Sequence, residues 1–354
     1  MNEQPVVVDT GLRFSSYGVR WVDMPAIRIC PCITSKALQI GYGRVQAHLL
    51  DALESAGGIE FAEETDFRWD YRLFFGWPRS WMIGHDKELV GDIIFHTMWE
   101  HEVLPPGWAD VLNRIQLIWV PSKWCEQTFR AAGVTRPIMV SGYGADPLEF
   151  PHIKRPDGPF TFIVIGHALE DRKGAFAVWK AFNKLKFKGE LKDARLIVKT
   201  QKGLFDDLHI RLHDKDGNSF QAKDSHGNKA DGVDFIFGTM PQKEYALMMA
   251  RAHCMVYPQV GEGFGLIPLE FACTGGLAMV HDYAGCSEYV DNRHMVKLDN
   301  ASEQELMDKM LWAYANQDEV TKRGAAAAAW VRTEWTWELA GLRARQLLHE
   351  KIGR

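Results

Sequence analysis

Along most of the chain, short apolar runs alternate with stretches whose apolar positions recur every three or four residues. That alternation marks strands and helices strung as βα units, which build a parallel sheet covered on both faces. In the first half it predicts strands over 26–33, 71–77, 92–95, 116–120 and 137–140, with helices over 44–56, 108–113 and 123–132. The second half repeats the scheme. Strands are predicted over 160–165, 194–199, 234–237, 254–257 and 277–280, and helices over 175–185, 242–250, 267–273 and 303–314.

Between the halves, residues 142–157 carry Pro147, Pro151 and Pro156 and break the pattern, as a linker does. The polar stretch 206–232, with Asp-Gly and His-Gly pairs, predicts a hairpin or loop insertion and no third domain. The expected organisation is an α/β chain with one Rossmann-like domain over 1–145 and a second over 146–335. Residues 336–354 follow as a final helix. Two doubly wound sheets that face each other leave a cleft at their strand C-termini, and ligands of such sheets bind there.

Composition agrees with two ordinary domains. The chain has 354 residues, 46% hydrophobic and 25% charged. Its apolar runs are strand-sized and too short for a bilayer. Residues 1–9 lack the basic and apolar succession of a signal peptide, so the expected location is the cytoplasm. None of the six cysteines has zinc-ligand or Cys-x-x-Cys spacing, and reduced thiols are expected. Net charge is −5 but uneven: residues 1–150 hold 13 Lys and Arg against 19 Asp and Glu. Residues 172–202 hold ten basic residues against Glu190 and Asp193. A solvated helix face explains that basic run, and so does a field that draws phosphate-bearing ligands.

The strongest motif is Gly261-Glu262-Gly263-Phe264-Gly265-Leu266-Ile267-Pro268-Leu269-Glu270, after one predicted strand and at the start of a helix. Glycines let backbone approach a ligand, and Pro268 suits a first helical turn. The amides of Gly265, Leu266 and Ile267 are then open to a phosphate. Glu262 is placed to reach sugar hydroxyls, and Glu270 to accept from a ribose. The plainer alternative is one acid near a helix start and one solvated acid. A second motif, Gly166-His167-Ala168-Leu169-Glu170-Asp171-Arg172-Lys173-Gly174, sets two cations at a helix N-terminus. That is unfavourable unless an anion lies between them and the dipole. Gly41-Tyr42-Gly43-Arg44 precedes the first predicted helix, with too few glycines for a dinucleotide fingerprint. Ile94-Phe95-His96-Thr97-Met98-Trp99-Glu100 ends a strand.

The Glu262–Glu270 spacing and Lys173-Gly174 resemble the large retaining GT-B family that includes sucrose, glycogen and lipopolysaccharide glycosyltransferases. The resemblance runs from about Gly41 to the C-terminus and is weakest over 1–35 and 203–232. It implies that Glu262 contacts the transferred sugar and Glu270 the donor ribose. Lys173 and Arg172 would grip the diphosphate. His167 stands where the family has Arg, a departure that Arg172 would have to make good. By the same resemblance Gly41 and Gly43 close over the donor, and Gly263, Phe264, Gly265 and Leu266 line its site. His96 contacts the reacting sugar, and the final helix crosses back onto the first domain. The implied co-substrate is a nucleotide sugar, UDP-linked by preference, with retention of configuration and no obligatory metal.

Trp77, Trp99 and Glu100 are the candidate acceptor contacts. Residues 68–81 interleave arginines with aromatics, a mix that can stack on bases. A buried aromatic strand with flanking surface arginines is the plainer reading. Compact members of the resembling family glycosylate hydroxymethylated pyrimidines of viral DNA, so the acceptor stands open between such DNA and a glycan or lipid-linked sugar. The acidic first half weighs against the polyanion. A non-catalytic nucleotide-sugar-binding subunit is the alternative from a different class.

Overall fold

The computed structural model describes residues 26–32, 41–62, 69–78, 92–166, 171–200, 211–214, 219–223 and 232–352. β1 (Ile27–Cys32), β2 (Ile59–Phe61), β3 (Tyr71–Phe75), β4 (Ile93–His96), β5 (Leu117–Val120) and β6 (Ile138–Val140) form one sheet. Its order is β2-β1-β3-β4-β5-β6, and every pairing is parallel. β4 and β5 are buried at each position. A parallel sheet covered on both faces needs that, which is why these strands read as unbroken apolar runs.

The second sheet holds β7 (Thr161–Ile165), β8 (Arg195–Thr200), β9 (Arg211–Asp214), β10 (Ser219–Lys223), β11 (Val233–Phe237), β12 (Cys254–Tyr257), β13 (Leu277–His281) and β14 (Val296–Leu298). Its order is β14-β13-β12-β7-β8-β11-β10-β9. β9 and β10 are antiparallel and extend the edge beyond β11, so the polar insertion does contain a hairpin. The other pairings are parallel. From β7 the chain steps outward to β8 and β11, then returns to lay β12 on the opposite side of β7. The loops after β7 and β12 therefore leave the sheet side by side. This is the crevice where doubly wound sheets hold ligands.

Helices cover both sheets: α1 (Gly41–Ala56), α2 (Trp108–Leu112), α3 (Lys123–Ala131), α4 (Ala175–Phe187), α5 (Gln242–Arg251), α6 (Leu266–Cys273), α7 (Glu303–Ala315), α8 (Gln317–Glu334) and α9 (Trp337–Ile352). Gly41 and Gly43, expected to precede the first helix, lie inside its first turn. β2, β14 and α8 had no counterpart in the pattern-based expectation. Ser122 starts α3 by accepting the Cys125 amide at 3.1 Å, one of the first-turn donors that a helix leaves unpaired.

α9 returns to the first sheet and packs on α1. A β-carbon on Gly341 would come within 2.5 Å of the Ala52 carbonyl oxygen, so only glycine permits this crossing. Arg345 anchors the same contact by donating to the Ala56 carbonyl at 2.8 Å. Cys30, Cys125, Cys254, Cys273 and Cys286 are buried free thiols. Among the described residues no helix is long and apolar enough to cross a membrane.

Candidate active site

The crevice between β7 and β12 gathers the charged residues of two separate motifs. Arg172 and Lys173 sit in a 3-10 turn ahead of α4. Gly174 ends that turn in the left-handed region, at φ 70°, and a β-carbon there would collide with Pro258. The glycine thus serves both the backbone angle and the close passage of the loop after β12. The Val260 amide donates to the Arg172 carbonyl at 2.8 Å and ties the two loops together.

Lys173 Nζ lies 2.9 Å from Glu262 Oε1, and the Arg172 guanidinium reaches the same oxygen at 3.4 Å. Arg172 also donates to the Gly261 carbonyl and meets Glu100 Oε2 at 2.8 Å. Glu262 is 6% exposed. Burial opposes its ionisation, but Lys173 and Arg172 outweigh burial and hold the carboxyl below its ordinary range. Glu100 goes the other way. Burial, then the Glu262 charge, push its carboxyl up against the pull of Arg172 and Lys173.

One helical turn further on, Glu270 is buried in α6. Arg44 of α1 meets it at 3.2 Å and meets Glu149 at 2.7 Å. Burial raises the Glu270 carboxyl despite Arg44. Both acids of the motif therefore rest on cations. His48, Asp146 and Glu149 bring ligand atoms within 4.8 Å of one another, the one such grouping among the described residues. The Arg44 guanidinium on Glu149 opposes a second cation there.

The glycine loop faces the first half of the chain as well as the crevice. A β-carbon on Gly261 would collide with the Glu100 carbonyl, and one on Gly263 would lie 2.7 Å from Met98 Sδ. Ser122 donates to the Gly263 carbonyl at 2.6 Å. These glycines are thus required by contact between the halves, a demand that the motif alone did not reveal. Gly265, at φ 83°, turns the chain into α6. The Phe264 ring is buried against Tyr143, Tyr289 and Trp335, which leaves only its backbone to face a donor. Leu266 is the first residue of α6.

His96 ends β4 and is fully buried among Phe75, Trp119 and Tyr143. The Tyr143 hydroxyl lies 3.1 Å from its Nε2. Burial lowers the imidazole to about 3, so it is neutral at neutral pH. Tyr143 separates it from Phe264. Trp77 is half exposed, with its ring 6.4 Å from Trp99 in an edge contact. Trp99 donates its indole N–H to the Val103 carbonyl at 2.7 Å. His167 lies outside the described residues. Sequence patterns passed over Tyr257, whose hydroxyl donates to Glu262 Oε1 at 2.8 Å. They also passed over Glu149 and the reach of Arg44. Their neighbours in sequence are ordinary strand, linker and helix residues, so spacing carried no signal.

The model of a family described as glycosyl transferases group 1 matches residues 147–330, more than half of the chain. The chain belongs to the glycosyl transferases group 1. No curated protein sequence matches it. Solved structures superpose on this glycosyltransferase over nearly its whole length. Sucrose-phosphate synthase from Thermosynechococcus elongatus covers 92% of this chain and 98% of its own, with TM-score 0.68 and 12% identity. Anabaena HepE, solved in complex with UDP-glucose, covers 92% and 100% with TM-score 0.65 and 14% identity. An α,α-trehalose-phosphate synthase (UDP-forming) from Burkholderia vietnamiensis covers 93% and 97% with TM-score 0.63 and 9% identity. At such identities the likeness establishes the fold, which is GT-B: two Rossmann-like α/β units that face a cleft.

Proposed function

We propose that this glycosyltransferase moves a hexosyl group, glucosyl by preference, from a UDP-sugar to a hydroxyl acceptor with retention of configuration. The observation that carries the proposal is the 2.9 Å contact of Lys173 with Glu262 at the switch point of the second sheet. Departure of a nucleoside diphosphate builds charge on the β-phosphate. Lys173, Arg172 and the amides at the start of α6 form the preorganised positive field that such a departure needs. The chain thus supplies the charge compensation from its own groups, and no metal is obligatory.

In this scheme Lys173 and Arg172 exchange Glu262 for phosphate oxygens as the donor enters. Glu262 is left to accept from sugar hydroxyls, and Glu270 shares Arg44 with the ribose. Gly41 and Gly43, in the first turn of α1, contribute orphan amides to the donor phosphates. His96, expected at the transferred sugar, is fully buried with its Nε2 on Tyr143 and its carbonyl accepting from the Gly76 amide at 3.1 Å, so it supports the wall of the sugar pocket from behind without a charge. The acceptor docks on the first-half wall, where Trp77 and Trp99 give stacking surface and Glu100 a hydrogen-bond acceptor. The acids of that wall, Glu100 and Glu102, favour an uncharged glycan over DNA, whose binding needs phosphate neutralisation.

The test is hydrolysis and transfer with a panel of nucleotide sugars, run with glycan acceptors and with hydroxymethylated DNA. Release of nucleoside diphosphate from a UDP-sugar is expected. Binding with no turnover on any donor or acceptor would replace the proposal with the non-catalytic subunit. Salt-sensitive sugar transfer to the DNA would replace the glycan acceptor.

A further inference from the structure

The geometry points to Tyr257 as the positioning residue of the Glu262 carboxylate: its hydroxyl holds Oε1 and leaves Oε2 for the donor sugar. This rests on the proposed donor site and goes beyond it, because no motif draws attention to the residue. Tyr257 is the last residue of β12 and is fully buried. Its hydroxyl and the Lys173 ammonium meet the same oxygen, at 2.8 and 2.9 Å. The two donors differ in what a ligand does to them. A diphosphate competes for the ammonium and for the Arg172 guanidinium, but it cannot draw away a neutral phenol anchored in the sheet.

A buried carboxylate that loses its hydrogen-bond donors takes up a proton, and the neutral acid is a weaker acceptor that also carries an O–H donor. Tyr257 prevents that at the moment the cations turn to phosphate. Burial, then the nearby Glu262 charge, hold the phenol well above its ordinary range, so it stays a donor at every working pH. The backbone helps. The Gly285 amide donates to the Glu262 carbonyl at 2.8 Å, which fixes the main chain from which the carboxylate extends.

The test measures UDP-glucose and UDP binding by calorimetry for the unaltered chain, Tyr257→Phe and Glu262→Gln, across the weakly acid to neutral range. Tyr257→Phe is expected to weaken UDP-glucose about tenfold and leave UDP within about twofold. The acid limit of UDP-glucose binding should move up by about one pH unit. A structural role alone would weaken both ligands alike and leave the pH limit in place. That result, with Glu262→Gln still losing UDP-glucose selectively, overturns the role of Tyr257 only. Equal binding of both ligands by Glu262→Gln overturns the sugar contact itself. Failure of the unaltered chain to bind UDP-glucose overturns the donor reading and this inference together.

Discussion

Lys173 and Glu262 are 89 residues apart in sequence and share one ion pair. Each was legible because its surroundings were odd: cations at a helix start, and an acid amid three glycines. Replacing either should lower turnover at least tenfold, about 1.4 kcal/mol of transition-state stabilisation. Steady-state rates of Lys173→Ala and Glu262→Ala on the best donor of the panel check this, and near-normal rates in both would remove the site assignment. His96 gives a prediction in stability. Its imidazole is neutral in the fold down to about pH 3, whereas the unfolded chain protonates near 6.5. The unfolded state then binds the extra proton between those values, so this contribution is intact above 6.5 and is lost as pH falls toward 3. Denaturation measured along that interval should show the slope shrink by about 1.4 kcal/mol per pH unit in His96→Gln. An unchanged slope would mean that the ring is protonated in the fold.

At the scale of elements, the strands were readable because both faces of these sheets are covered. β7 and β12, buried at every position, appear in the sequence as plain apolar runs. α8 was not readable for a physical reason. Ala327 and Ala328 are buried while Ala325, Ala326 and Ala329 are exposed, so one residue type fills both faces without contrast, and Gly324 in its middle looks like a breaker. In fact a β-carbon on Gly324 would collide with the Gly275 carbonyl, so the glycine marks close packing. β2 and β14 are three residues each and too short to show a period. Gly174→Ala tests the turn that carries Lys173. It should cost on the order of 2 kcal/mol or more, from the left-handed backbone together with the collision on Pro258. Gly189→Ala is the control, with φ 74° and nothing within 4 Å of the added carbon. It should cost only about 1 kcal/mol. Equal losses in urea titrations would show that the loop yields to the added methyl group.

For the molecule as a whole, polar contacts span the cleft at several points. Arg172 meets Glu100, Tyr283 donates to Glu102, and the Lys123 amide donates to Glu288 at 2.6 Å. Removing the two first-half carboxylates, as Glu100→Gln with Glu102→Gln, should loosen the donor-free chain. Small-angle scattering should then give a larger radius of gyration that contracts on adding nucleotide sugar. No change in radius would mean that the remaining contacts, the Lys123–Glu288 and Ser122–Gly263 hydrogen bonds among them, suffice to keep the halves together. None of these contacts was visible in the sequence, because each joins residues whose loops meet only after both sheets have formed.

The polypeptide passes between the two units twice, and the passages lie against each other. Ala145 pairs with Thr336, and its amide donates to the Trp335 carbonyl at 2.8 Å. A joint made of two adjacent chain segments resists twisting more than a single crossing would and leaves bending about one line as the easy motion. The same arrangement ties the second unit to the fate of the first. Cutting the chain at the proline-rich linker would strip α1 of α9, so the amino-terminal fragment would emerge with an uncovered apolar seam and no means of closing it.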